Sequence, residues 1–222
     1  MRAFIASLLL VLSCLTAFAD TTDRLFVRPW VELEPLARID PGTVYPIPVA
    51  TAEKTLLEEG RRLISGMIYG WSFTYYPGDL SRSVKESFLL TPLAEIPWGS
   101  PRLKIIETEQ SDTRLWARIG YTLDDTESLR RESWDSNTVP LATGEGAADL
   151  LAVADVRNAS REAAIKDAIR RSLDVRYANK PREITGEVVL WDDPLTVVSA
   201  GSFRTTAKVK VLVRELVPYG IY

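Results

Sequence analysis

The chain has 222 residues, 46% of them hydrophobic and 26% charged, with a formal net charge of −3. That balance gives enough apolar material for one sizeable core or two small ones, and no basic block marks nucleic acid as a partner. There is no histidine and a single cysteine, Cys14, which excludes Ser-His-Asp and Cys-His catalysis and zinc sites built on those ligands.

Residues 1–19 read as a secretory signal peptide. Arg2 precedes an apolar run from Ala3 to Leu12, and Ala17-Phe18-Ala19 stands before Asp20, a small-x-small pattern that predicts cleavage after Ala19. The run is too short for a membrane span. An alternative reading takes Val11-Leu12-Ser13-Cys14 as a loose lipobox, with lipidation at Cys14. Cleavage after Ala19 leaves no cysteine, so no disulfide could staple the fold. The expected location is the bacterial periplasm.

Residues 20–50 form an extended arm. Pro29, Pro35, Pro41, Pro46 and Pro48 oppose helices and central strands there. Arg24–Val27 and Trp30–Leu33 could make short edge pairings.

A first unit covers 51–140. Thr51 is the expected cap of a helix ending near Gly66, whose apolar stripe is Leu56, Leu57, Gly60, Leu63, Ile64 and Met67. Tyr69–Tyr76 is strand-like, and Pro77-Gly78-Asp79 turns the chain. Ser83–Pro101 is irregular, with a short pairing near Ser87–Leu90. Arg102–Glu109 and Thr113–Leu123 form a hairpin around Gln110-Ser111-Asp112. Asp124–Pro140 is polar and predicts a loop.

The second unit covers 141–222. A strand is expected over Ala147–Val153. Ser160 then caps a helix whose buried stripe is Ala164, Ile165, Ala168, Ile169, Leu173 and Tyr177, with Glu162 near the positive end of its dipole. Three strands follow, Glu183–Trp191, Leu195–Ala200 and Ser202–Leu216. The last alternates apolar residues with Arg204, Lys208, Lys210 and Arg214, so one face is buried and one is basic.

An echo ties the units together: IYGWSFTYYPGDL from Ile68 and ITGEVVLWDDPL from Ile184, each after a helix. The sequence therefore predicts an α+β fold of two related α-β-β-β halves, with amphipathic helices packed on antiparallel sheet.

The run from Gly144, Gly146 and Ala147 through Ser160-Arg161-Glu162-Ala163-Ala164-Ile165-Lys166-Asp167-Ala168-Ile169-Arg170-Arg171 resembles the N-terminal domain of the flagellar assembly protein T family. It is similar also to small bacterial envelope lipoproteins with the same helix-plus-sheet module. The resemblance covers about residues 144–216 and implies a non-catalytic periplasmic module, in one family attached to the flagellar basal body. It supplies no catalytic residues.

The expected function is non-enzymatic: an exported binding or assembly protein of the envelope, with envelope proteins or the flagellar basal body as partners. No cofactor or metal is expected, and an oligomer is left open. The expected contact surface is the basic stripe, Arg204, Lys208, Lys210 and Arg214, with the tail residues Pro218, Tyr219 and Tyr222. The favoured reading of the stripe is nonetheless a solvated sheet face with acids such as Glu187 nearby, since charged outer faces are routine in antiparallel sheets. One rival is a cell-wall glycan hydrolase drawing a carboxylate pair from Glu86, Glu95, Asp112 and Glu187. Another is a hydrophobe carrier lined by Trp71, Trp98, Trp116, Trp134 and Trp191. Asp192-Asp193-Pro194 reads as a turn.

Overall fold

The computed structural model describes residues 23–37, 42–152, 155–177 and 179–220. Cys14, Tyr222 and the whole segment 1–19 lie outside the described residues. The described chain is α+β, with three helices and ten antiparallel strands in two sheets.

The arm is built into a sheet. β1 (Arg24–Val27) and β2 (Trp30–Glu32) both pair with β6 (Arg114–Thr122), and β5 (Leu103–Ser111) pairs with its other side. The 4-stranded sheet they form owes its inner face to Leu25, Val27, Leu115 and Ile119, which alternate with exposed positions.

α1 (Val49–Ile68) is longer than expected at both ends. Pro48 rather than Thr51 stands at its N-cap, with no side-chain cap, because a proline placed before the first turn gives up only a backbone N–H that is orphaned anyway. The helix continues past Gly66 because that glycine is a packing position: a Cβ there would strike the Trp71 ring. It ends at Ile68, with Tyr69 as its C-cap, and the chain turns away at Gly70, whose φ of +67° and closeness to the Val188 carbonyl admit no side chain.

The second sheet has 6 strands. Its order is β4 (Ser87–Pro92), β3 (Trp71–Tyr76), β8 (Glu183–Leu190), β10 (Ser202–Val217) and β7 (Leu141–Asp149), with β9 (Leu195–Ser199) also on β10. The expected boundary near residue 140 is therefore not a boundary between sheets. β3 and β4 join the strands of the second unit, while β5 and β6 join the arm. The echoed segments place β3 beside β8, paired antiparallel from Trp71↔Val188 to Tyr75↔Ile184. The echo is not position-for-position: Ile68 closes a helix and Ile184 lies in a strand.

The polar stretch after Asp124 contains a helix, α2 (Asp125–Ser133), where the sequence predicts a loop. Its capping box, Asp124 with Glu127, closes reciprocally. Arg130 and Arg131 donate to the carbonyls of Met67, Ile68 and Tyr69, so α2 caps the C-terminus of α1.

β7 begins six residues before the expected strand, whose last residue, Val153, lies outside the described residues. α3 (Val156–Asp174) starts at Asp155, whose side chain accepts from the Asn158 N–H at 3.3 Å. Ser160 is one turn inside the helix and fully buried, and its hydroxyl meets that of Thr205 at 2.7 Å. The predicted stripe from Ala164 to Leu173 is buried on β7 and β10.

One main core runs through both sheets, α1 and α3. α1 touches strands of both sheets, so it is the shared wall between them. A small second cluster gathers Trp134, Val139 and Val189.

The β9–β10 turn consists of Ala200 and Gly201, with φ of 51° and 71°. Two positive φ values favour Asn-Gly over Ala-Gly, since alanine in the left-handed region is strained. Ala200→Asn is expected to stabilise the fold by roughly 0.5–1 kcal/mol, read as a higher urea midpoint with an unchanged slope.

Candidate functional site

A two-chambered cleft opens where four segments converge: the β1–β2 turn, α1, the first turns of α3 and the β8–β9 turn. The inner chamber encloses about 240 Å³ and is lined by Arg28, Trp30, Glu59, Arg157, Arg161 and Asp193, among others. The outer chamber, about 650 Å³, shares Trp30, Glu59 and Arg157 with it and reaches out to Trp98.

Trp30 is the hinge of this arrangement. It is buried, with the guanidiniums of Arg114 and Arg157 each over its ring at 4.4 and 4.2 Å, and its indole N–H donates to the Thr196 carbonyl at 3.3 Å. Stacked arginine covers an indole face while keeping its donors free for other partners.

The electrostatics are unusual. Arg161 is only 4% exposed. It pairs with Glu59 and approaches the Asn158 side chain at 3.5 Å, but its buried Nε–H has no partner. Arg157 donates to the Trp30 carbonyl and stacks on Trp30 and Phe203, yet it forms no ion pair among the described residues. Burial pushes the Arg157 guanidinium down from its usual range. Asp193 also lacks a cationic partner: its Oδ2 accepts only from the Arg28 backbone N–H at 2.7 Å. Burial, with the charges of Asp192 and Glu59, pushes its carboxyl up. Arg157 and Asp193 are half-buried, so each keeps a partly desolvated charge without an ion pair on a cleft that a ligand can reach.

Asp193 sits in the turn expected of it. That turn also aims one carboxyl of the doublet into the cleft, which alternation along a strand could not reveal.

The basic stripe is not one open face. Arg204 is exposed; Lys208 reaches Asp192 at 3.4 Å, and Arg214 pairs with Glu187 at 3.1 Å. Lys210 is buried beneath α2, donating to the Trp134 carbonyl at 2.6 Å with its ammonium over the Trp191 ring. In the tail, Pro218 is exposed, while Tyr219 lies under the Arg82 guanidinium.

The four carboxylates of the hydrolase reading are not brought together. Glu86 pairs with Arg170, Glu95 with Arg61 and Glu187 with Arg214, while Asp112 occupies the tip of the β5–β6 hairpin with φ of 52°. Of the five tryptophans, Trp116 lines the inner chamber and Trp98 the outer, whereas Trp134 and Trp191 pack in the small second cluster. Among the described residues, no cluster of carboxylates is set to hold a metal, and no helix is long and apolar enough to cross a membrane.

Sequence similarity reaches across this whole arrangement. A protein of Treponema pallidum (strain Nichols) described as an uncharacterized protein is 29% identical over 169 residues, covering 76% of this chain and 71% of the relative. No solved structure matches. A protein-family model that states no function matches residues 14–219, a span that includes both sheets, all three helices and the cleft, and the chain belongs to that family.

Proposed function

We propose that the protein is a non-enzymatic binding or assembly protein of the bacterial envelope, exported to the periplasm, and that the two-chambered cleft is where it binds. The observation that carries this is the buried Arg161 with its unpartnered Nε–H beside Arg157, a cation without an ion pair. Buried donors without partners are rare in native folds, and a ligand acceptor would satisfy them. The lack of histidine removes the commonest general base. The signal-peptide pattern of residues 1–19 supports the location, and the resemblance of residues 144–216 makes the flagellar basal body the first partner to test.

The test is capture from cross-linked envelopes with the tagged protein, comparing the wild type with Arg161→Lys. An envelope component retained by the wild type and lost in the variant supports the reading. Equal recovery by both removes the cleft from it.

Asp193 favours a second reading. A carboxyl raised by burial, facing Glu59 in one cleft, has the makings of a general acid with a second carboxylate. Release of soluble glycan from purified cell wall by the wild type, abolished in Asp193→Asn, would establish the hydrolase and overturn the non-enzymatic proposal.

A further inference from the structure

The inner chamber holds opposite charges that do not neutralise one another. Glu59 compensates Arg161, which leaves the Arg157 cation and the Asp193 carboxylate without ion partners on the same chamber. Two groups lining the chamber keep bonding capacity for a guest, the remaining Arg157 N–H groups and Asp193 Oδ1, while the Arg161 Nε–H is unpartnered but fully buried.

Taking the cleft as the binding site, we infer that the inner chamber is a site for a small zwitterion of the amino-acid type, its carboxylate held by Arg157 and Arg161 and its ammonium by Asp193.

Charge matching selects this class. A phosphate dianion would meet Asp193 and Glu59 at close quarters, and a plain amine would meet two guanidiniums. Only a molecule carrying both signs satisfies each group without stranding the other. Size agrees, since about 240 Å³ is below the usual drug-sized pocket and suits an amino acid. The chamber's apolar walls include Leu63, Trp116 and Pro194, so the ligand's charges would be held in partly dry surroundings where pairing counts for more. The shared edge with the outer chamber at Trp30 and Glu59 leaves an exit for anything attached to the zwitterion. The same chemistry can therefore come from a free amino acid or from the end of a short peptide. Burial raises the Asp193 carboxyl, and a ligand ammonium would reverse that.

The test is calorimetric titration of the full chain with L-alanine, D-alanine and the alanyl-alanine dipeptide, against acetate, ethylamine and inorganic phosphate. At least one zwitterion is expected to bind about tenfold or more tighter than acetate and ethylamine. Asp193→Asn is expected to weaken the zwitterion about tenfold, while acetate binding does not weaken and the melting temperature does not fall. Arg161→Lys, which keeps the charge and loses the Nε–H, is expected to weaken both zwitterion and acetate. Tighter binding of alanine than of the dipeptide identifies a free amino acid, and the reverse a peptide end. Phosphate or acetate binding as tightly as every zwitterion, or no heat from any zwitterion at saturating concentration, overturns the inference. Envelope capture that still depends on Arg161 would then leave the wider binding proposal standing.

Discussion

Gly144→Ala and Gly146→Ala are each expected to cost about 3 kcal/mol or more, and the double variant should fail to fold cooperatively. Glycine ordinarily weakens a strand, so two within β7 need a cause. The cause is α3. A Cβ on Gly144 would fall under 3.0 Å from the backbone of Ala164 and Ala168, and one on Gly146 would strike that of Ser160 and Ala164. These are main-chain atoms, which no side-chain rotation can move aside. The two glycines and the small residues Ser160, Ala164 and Ala168 let the helix lie almost on the strand. Pushing α3 away would also uncover Ala168 and Ile169 and carry Arg157 and Arg161 out of the cleft. Urea denaturation measures the cost. A loss below about 1 kcal/mol would show that α3 can shift freely on the sheet. Ligand or partner binding should fall together with stability, because the same helix holds the arginines.

The legibility of this fold in the sequence follows which forces leave a periodic trace. The stripe of α3 and the alternation of β10 are printed directly, since one face of each is buried and the other wet. Gly144 and Gly146 were visible as residues and carried part of the family resemblance, but glycine in a strand has no apolar signal, so the start of β7 was missed. α2 was missed for a related reason: Glu127 is its only buried residue, and that is a charge. The D-x-x-E spacing of Asp124 and Glu127 is the one local clue, a capping box in an otherwise polar stretch. Sheet membership is not legible, because β3 and β4 could pair with either unit and the ladder that decides it, β3 on β8, joins residues more than a hundred apart. The cleft was least legible. Arg28, Trp30, Glu59, Arg157, Arg161 and Asp193 span most of the chain, and no local spacing links them. Arg161 and Asp193 were both seen, one as part of a helix motif and the other as a turn residue. Neither label hints that the two line one cavity.

Glu127→Ala is expected to destabilise the protein by about 3–5 kcal/mol, the cost of stranding the partners of a buried charge. The side chain is 4% exposed and fully engaged. Oε1 accepts from the hydroxyls of Tyr69 at 2.6 Å and Tyr121 at 2.8 Å, and from Arg102 Nη2 at 3.3 Å. Oε2 accepts from Arg102 Nη1 at 2.7 Å and from the Asp124 backbone N–H at 2.9 Å. One carboxylate thus joins the end of α1, the strand β6 and the cap of α2. Glu127→Gln is nearly the same shape and separates charge from size. Its amide nitrogen must replace one oxygen and so face donors, which predicts a loss of about 1–3 kcal/mol. Burial alone would raise the Glu127 carboxyl, but these hydrogen bonds outweigh it and hold it below its usual 4.5. A depressed carboxyl stabilises the fold above its unfolded value and loses that contribution as pH falls through the folded one. Burial and the same carboxylate push the Tyr69 phenol up from 10.0 to about 12, and the Tyr121 phenol also up. Raised phenols have the opposite sign: their contribution is complete below pH 10.0 and declines as pH rises toward about 12. The stability of the wild type should therefore fall on both sides, below pH 4.5 and above pH 10.0. In Glu127→Gln the acid limb should flatten and the alkaline limb only become shallower, since burial is the larger cause of the raised phenols and the carboxylate the smaller. An alkaline limb that vanished with the acid one would mean that the carboxylate, rather than burial, sets the tyrosines.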